Sequence, residues 1–107
     1  MDAERIARND ATFREANETI ATAARRFGNG ERAPFICECA DPACREVLRL
    51  TLAEYEALRA SPTHFAVVPG HDEGPVTEQV GGGLGYVVVR KLGKAASTAA
   101  ELDPRSP

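Results

Sequence analysis

The chain has 107 residues, enough for one domain, and its aromatic content of 6% without tryptophan allows only a modest apolar core. Acidic and basic residues are interspersed and give a net charge of −3, which argues against nucleic acid as a partner because phosphate binding needs a basic face. No apolar stretch is long enough to span a membrane and the N-terminus has no signal-peptide core, so the sequence predicts a cytoplasmic protein.

Residues 1–28 have the pattern of a long amphipathic helix. Large apolar residues recur every seven positions, at Ile6, Phe13, Ile20 and Phe27. The glycines that follow are typical of a helix end, since glycine adopts the left-handed conformation without a steric penalty. The stripe would either pack on the protein's own sheet or bind a protein partner, including a second copy in a homodimer. Packing on the sheet is favoured because the repeat is shorter than the sustained heptads of a coiled coil.

The middle of the chain predicts a hairpin followed by a short helix. Residues 34–39 and 47–50 have the composition and alternation of two strands. Thr51 followed by Glu54 has the spacing of a capping box, so a helix is expected from Leu52 to about residue 60. This helix would pack its apolar side on the sheet.

The remaining segments predict three more strands and an unstructured end. Residues 65–68 form a short apolar strand, and residues 76–80 and 84–90 form a second hairpin across the glycines at 81–83. Residues 93–107 show no periodicity and are expected to be a disordered tail.

Together these elements indicate an α+β fold, with a long N-terminal helix packed on a small, mainly antiparallel sheet and one further short helix. The folded domain is expected to cover residues 1–92, with a metal-binding, β-rich core in residues 34–92. A metal ion would staple this core.

Three cysteines lie within eight residues, at Cys37, Cys39 and Cys44. Residues i and i+2 of a strand point to the same side, so Cys37 and Cys39 can reach one ion, and the Asp-Pro-Ala turn returns Cys44 toward them. The odd cysteine number and the missing export signal argue against a disulfide framework. A metal site is favoured over inert core cysteines and over redox-active thiols, because three cysteines clustered beside a turn proline are hard to explain otherwise. Thiolates suit zinc in a tetrahedral site, which requires a fourth ligand.

The fourth ligand is expected to be a histidine, and the chain has two. His71 ranks first because it follows a strand and a Pro-Gly turn, where its loop can be held against the cysteine hairpin. His64, at the start of the same strand, ranks second. The predicted site is therefore a structural zinc site of Cys37, Cys39, Cys44 and His71. An iron–sulfur cluster is less favoured because the spacing matches its usual ligand patterns poorly.

A closed site of this kind predicts a protein-interaction or regulatory module. Three thiolates and an imidazole leave no coordination position for water, so an enzyme is disfavoured. The first alternative is a thiol- or zinc-dependent enzyme or redox protein, in which Glu38, Asp72 or Glu73 would act as a general base. The second alternative is a nucleic-acid-binding zinc domain, which the charge disfavours.

The stretch from Phe35 to His71 resembles a group of short, uncharacterised bacterial proteins. The matching segments are Phe-Ile-Cys-Glu-Cys-Ala-Asp-Pro-Ala-Cys, then Leu-Thr-Leu-Ala-Glu-Tyr-Glu, then Phe-Ala-Val-Val-Pro-Gly-His. In that group an N-terminal helix precedes a Cys-x-Cys-x4-Cys cluster and a Pro-Gly-His follows. The resemblance covers most of the chain up to Lys91 and implies that the three cysteines and His71 form one feature, with no activity attached. The glycine-rich residues 81–85 depart from the more polar segment of the group.

Overall fold

The computed structural model describes residues 3–28, 30–39, 41, 43–71 and 77–105. It contains three helices, which are α1 (Ala3–Phe27), α2 (Leu52–Leu58) and α3 (Gly93–Glu101). Its five strands are β1 (Ala33–Ile36), β2 (Val47–Leu50), β3 (His64–Val67), β4 (Thr77–Gly83) and β5 (Tyr86–Lys91). None of the described helices is long and apolar enough to cross a membrane.

The strands form two small antiparallel sheets instead of the single sheet that was expected. Strands β1 and β2 form a hairpin, and the second sheet has the order β3-β5-β4. The two sheets are joined at the end of β1, where the Glu38 N–H donates to the Ala66 carbonyl at 2.8 Å. The predicted α+β class, with an N-terminal helix and antiparallel strands, is confirmed.

Helix α1 buries a face that differs from the predicted apolar stripe. Its buried residues are spaced by three or four positions, and they are Ala11, Arg14, Asn17 and Ala21. Two of these four are polar. The apolar stripe lies beside this face: Phe13 and Ile20 are only partly buried, while Phe27 is 81% exposed. The side chain of Ile6 lies outside the described residues.

A pair of hydrogen bonds explains why a polar residue lies at the centre of the helix contact. The Asn17 side chain accepts from the Ile36 N–H at 2.7 Å and donates to the Ile36 carbonyl at 2.9 Å. It therefore pairs with the outer edge of β1 as a neighbouring strand would. Because buried backbone groups need partners, this position favours an amide over an apolar side chain.

Helix α2 begins at the predicted capping box. The Thr51 hydroxyl accepts from the Glu54 N–H at 3.1 Å, and the Glu54 carboxylate accepts from the Thr51 N–H at 2.9 Å. The helix ends at Leu58, slightly before the predicted end. On its buried side, the Tyr55 ring stacks on Phe35 of β1, with the ring centroids 4.4 Å apart. This contact joins α2 to the first sheet.

The glycines predicted as a hairpin turn belong to strand β4. The turn lies one step later, at Leu84 and Gly85, where Gly85 has a φ of +81°. Gly83 is opposite Tyr86, and a Cβ on Gly83 would lie 2.5 Å from the Tyr86 ring. The glycine therefore provides space for an aromatic ring on the neighbouring strand. Residue 76, the predicted start of this strand, lies outside the described residues.

The prediction of a disordered tail over residues 93–107 is wrong for residues 93–105. Residues Gly93–Glu101 form α3, which packs against α1 and buries Ala95, Thr98 and Ala99. Small side chains allow the two helices to approach closely, but without large apolar residues the packed face is inconspicuous in the sequence. After α3, the Asp103 carboxylate forms an ion pair with the buried Arg59.

Candidate metal centre

Four side chains from three segments meet at one point beside the second sheet. Cys37 and Cys39 follow β1, Cys44 precedes β2 and His71 follows β3. Their ligand atoms all lie within 4.8 Å of one another. The His71 Nδ1 is 3.6 Å from the Cys37 sulfur and 3.7 Å from the Cys44 sulfur. These four residues form a possible metal-binding site, with the donor set that was expected from the sequence.

Local hydrogen bonds hold the cysteine loop in this shape. Strand β1 ends at Ile36 rather than at residue 39, but the Cys37 N–H still donates to the Glu46 carbonyl at 3.1 Å. At the turn, the Asp41 carboxylate accepts from the Ala43 N–H at 2.9 Å, and the Asp41 carbonyl accepts from the Cys44 N–H at 3.0 Å. The turn thus brings Cys44 back toward Cys37.

A second turn positions the histidine. The His71 N–H donates to the Val68 carbonyl at 2.9 Å, and Gly70 between them has a φ of +92°. Only glycine adopts this conformation without strain, which explains the Pro-Gly-His order after β3. Because Val68 also donates its own N–H to the Cys37 sulfur at 3.2 Å, the same turn fixes both the imidazole and a thiol.

The other histidine candidate, His64, is not part of the cluster. It lies at the start of β3, beside a groove that Glu54 and Tyr86 also line. Burial lowers the pKa of the His64 imidazole, and the positive charges of Arg90 and Arg14 lower it further. The structure therefore brings His71, and not His64, to the cysteines.

Between the two buried cysteines, Glu38 points the opposite way. Its carboxylate accepts hydrogen bonds from Arg14 Nη2 at 3.0 Å and Arg14 Nε at 3.1 Å. It also accepts from the Asn17 amide at 3.0 Å and from the Ala66 N–H at 3.0 Å. Glu38 is completely buried, so these contacts provide the compensation that an ionised carboxylate requires in the interior.

This arrangement contradicts the idea of Glu38 as a general base. Both of its oxygens are held by donors from α1 and β3, on the side of the backbone away from the cysteine sulfurs. Glu38 instead anchors the metal-site loop to α1. The other two carboxylates considered for this role, Asp72 and Glu73, lie outside the described residues.

Two helix residues that were not predicted from the sequence, Arg14 and Asn17, hold Glu38. Their spacing was visible, because they lie three positions apart on one helical face beside the apolar stripe. A polar pair facing inward indicates a buried polar partner. The identity of that partner depends on tertiary contact and is not visible in the helix alone.

The surroundings of the thiols are apolar. Phe65, Val67, Val87, Val89 and Ala99 pack around Cys37 and Cys39 in one buried cluster. Burial raises the pKa of the Cys37 and Cys39 thiols, and the two neighbouring sulfurs raise the pKa of Cys39 further. Buried thiolates in such an environment need a cation beside them, because burial disfavours an uncompensated charge.

Comparisons of the chain with protein-family models, with curated proteins and with solved structures find no match. The assignment of the site therefore depends on the geometry and chemistry of the four side chains.

Proposed function

We propose that Cys37, Cys39, Cys44 and His71 bind one zinc ion that staples the α+β fold. The supporting observation is the separation of sulfur from nitrogen, 3.6 Å and 3.7 Å. Tetrahedral zinc, with Zn–S near 2.3 Å and Zn–N near 2.1 Å, places a sulfur and a nitrogen ligand about 3.6 Å apart. The two measured sulfur–nitrogen separations therefore support a tetrahedral zinc ion as the metal.

The compactness of the site favours a single ion over an iron–sulfur cluster. The four ligand atoms lie within 4.8 Å of one another, which suits ligands that share one metal atom. An iron–sulfur cluster contains several iron and sulfide atoms, and its protein ligands surround the whole cluster. One zinc ion would join the β1–β2 hairpin to the loop after β3, so its binding free energy would contribute to the stability of the fold.

The domain acts, in this proposal, as a cytoplasmic protein-binding module. Three thiolates and one imidazole complete a tetrahedral coordination sphere, which supports a structural role for the metal. The binding surface would be the exposed side of α1, where Phe27 is 81% exposed beside the Arg26 guanidinium. The three cysteines are free thiols, the state that a reducing compartment preserves.

The metal content of the purified protein tests the proposed zinc site. The full chain, purified without added metal, is expected to contain about one zinc ion, as one four-coordinate site requires. His71→Ala should lose or loosen the metal, while His64→Ala, the matched control, should keep it. Chelation of the zinc should unfold the native protein. An unchanged circular dichroism spectrum after complete chelation would contradict the structural role.

Self-association tests the binding surface, with a second copy of the chain as the first partner examined. Sedimentation velocity of the zinc-loaded protein is expected to show a concentration-dependent dimer that Phe27→Asp abolishes. Leu84→Asp provides the control, because Leu84 is exposed to a similar extent, 78%, at the tip of the β4–β5 hairpin. A monomer at every concentration would exclude the homodimer.

A further inference from the structure

The three thiols of the metal site differ in their access to solvent. Cys37 and Cys39 are 0% and 3% exposed, whereas Cys44 is only partly buried. Cys44 also belongs to the loop that closes the site from outside, between the Asp41 turn and β2. Cys44 is therefore the most solvent-exposed of the three cysteine residues.

The sulfur atoms also differ in their hydrogen bonds. The Val68 N–H donates to the Cys37 sulfur at 3.2 Å, and the Asp41 N–H donates to the Cys39 sulfur. Such donors stabilise negative charge on sulfur and make its electron pair less reactive. The Cys44 sulfur lies 3.7 Å from the Nδ1 atom of His71.

A groove leads to this sulfur. It has a volume of about 360 Å³ and lies between α1 and the β1–β2 hairpin. Its apolar walls come from Phe13, Ile36 and Val47, and Cys44 forms part of its lining. The volume lies in the range of small-molecule sites, which are mostly apolar with few polar groups. The groove therefore fits a small apolar group next to the most accessible thiolate.

We propose that Cys44 is a modification site that accepts an alkyl group from an apolar alkyl electrophile bound in this groove. The inference rests on the proposed function, because bound zinc would keep Cys44 as a thiolate at neutral pH. The sulfur lone pair forms the new S–C bond while the bond from carbon to the leaving group breaks. The leaving group departs as an anion with that electron pair, so the step needs no oxidant or reductant.

Alkylation would also weaken the metal site. The product is a neutral thioether, which has lost the charge that made the thiolate a strong zinc ligand. Zinc release should therefore follow the modification of Cys44. The groove would thereby couple exposure to an electrophile with the stability of the metal-stapled fold.

The test compares two probes that share a reactive iodoacetyl group. Iodoacetamide is small and polar, whereas iodoacetanilide carries an additional phenyl ring. The zinc-loaded full chain is treated with each, and adducts are located by mass spectrometry of peptides. The first adduct is expected on Cys44. The rate ratio of iodoacetanilide to iodoacetamide should exceed the ratio measured with glutathione by about fivefold, as expected for partial burial of a phenyl ring.

A pair of exposed valines supplies the control for the groove. Val47→Ser removes one apolar wall and should reduce the rate ratio toward that of glutathione. Val80→Ser makes the same change on β4, outside the groove, and should leave the ratio unchanged. Neither valine belongs to the buried core.

The outcomes separate the two proposals. First adducts on Cys37 or Cys39, no adduct on Cys44, or a glutathione-like ratio in protein that contains zinc would overturn the modification site alone. Protein that binds no zinc would overturn the proposed function and, with it, this inference. Adducts on Cys44, with the groove selectivity and zinc release, support both.

Discussion

The Arg14 guanidinium contacts the Glu38 carboxylate at two points, 3.0 Å and 3.1 Å, with both side chains excluded from solvent. Arg14 belongs to α1, and Glu38 is the residue between two proposed metal ligands. The Arg14 guanidinium also lies 3.9 Å from the centre of the Phe65 ring on β3. One buried ion pair therefore connects the N-terminal helix, the metal loop and the second sheet.

Removal of either charge of the Arg14–Glu38 ion pair should lower the free energy of unfolding. In Arg14→Met the Glu38 carboxylate remains buried without its main partner, and we expect the free energy of unfolding to fall by about 3–5 kcal/mol. Urea denaturation of the zinc-loaded protein measures the change. Arg32→Met is the control, because Arg32 forms an exposed ion pair with Glu54 whose loss should cost below about 1 kcal/mol. Equal effects of the two substitutions would show that the buried pair does not hold α1.

Acid should weaken a second charged cluster, which ties the C-terminus to α1 and α2. Hydrogen bonds from Arg105 lower the pKa of Glu56 to about 2. Burial opposes ionisation of Glu18, but hydrogen bonds from Arg105 and Arg59 outweigh it and lower that pKa as well. Burial likewise opposes ionisation of Asp103, and a hydrogen bond from Arg59 lowers its pKa overall.

The sign of the pH effect follows from these lowered pKa values. A carboxylate with a lower pKa in the folded state stabilises the protein fully above its unfolded pKa, 4.5 for Glu56, and progressively less as the pH falls toward about 2. Urea midpoints should therefore fall between pH 6 and pH 3. Arg105→Ala should flatten part of this dependence. Because acid would also release the proposed zinc ion from both proteins, the role of Arg105 is measured by the difference between wild type and variant. Parallel curves would contradict that role.

Two glycines of β4 provide a test of close packing. A Cβ on Gly83 would lie 2.5 Å from the Tyr86 ring, whereas a Cβ on Gly81 would meet its nearest atom, on Val88, at 3.9 Å. Gly83→Ala should therefore destabilise the protein by about 1–3 kcal/mol through overpacking. Gly81→Ala should be neutral or slightly stabilising, since alanine lowers the entropy of the unfolded chain. Thermal denaturation distinguishes them, and equal shifts would contradict the Tyr86 contact.

The grouping of the three cysteines in a possible metal-binding site was predictable because its signal is local. Three cysteines within eight residues point to a metal by spacing alone, and only two histidines were available as the nitrogen ligand. The capping box of α2 was predictable for the same reason, since both partners lie within one turn. The α+β class followed from the order of strands and helices.

The buried face of α1 and the helix α3 depend on information from distant parts of the chain. Asn17 faces inward because the Ile36 backbone needs partners there, and Arg14 faces inward because Glu38 is buried opposite it. An apolar stripe does not identify the buried face of a helix when polar side chains make the contact. In α3 the buried positions are occupied by Ala and Thr, so no large apolar side chain marks the packed face in the sequence.

The packing of α3 can be tested with two substitutions to the same residue. Ala99 is 2% exposed and belongs to the apolar cluster around Cys37 and Cys39, whereas Ser97 is exposed on the opposite side of the helix. Ala99→Leu should insert three additional carbons into a filled space and cost about 1–3 kcal/mol. Ser97→Leu should change the free energy of unfolding by less than about 0.5 kcal/mol. If residues 93–101 were unstructured, both substitutions would leave the free energy of unfolding unchanged. A large and selective effect at Ala99, measured by urea denaturation, therefore distinguishes a packed helix from a disordered tail. Loss of zinc affinity in the same variant would show that α3 supports the proposed metal centre.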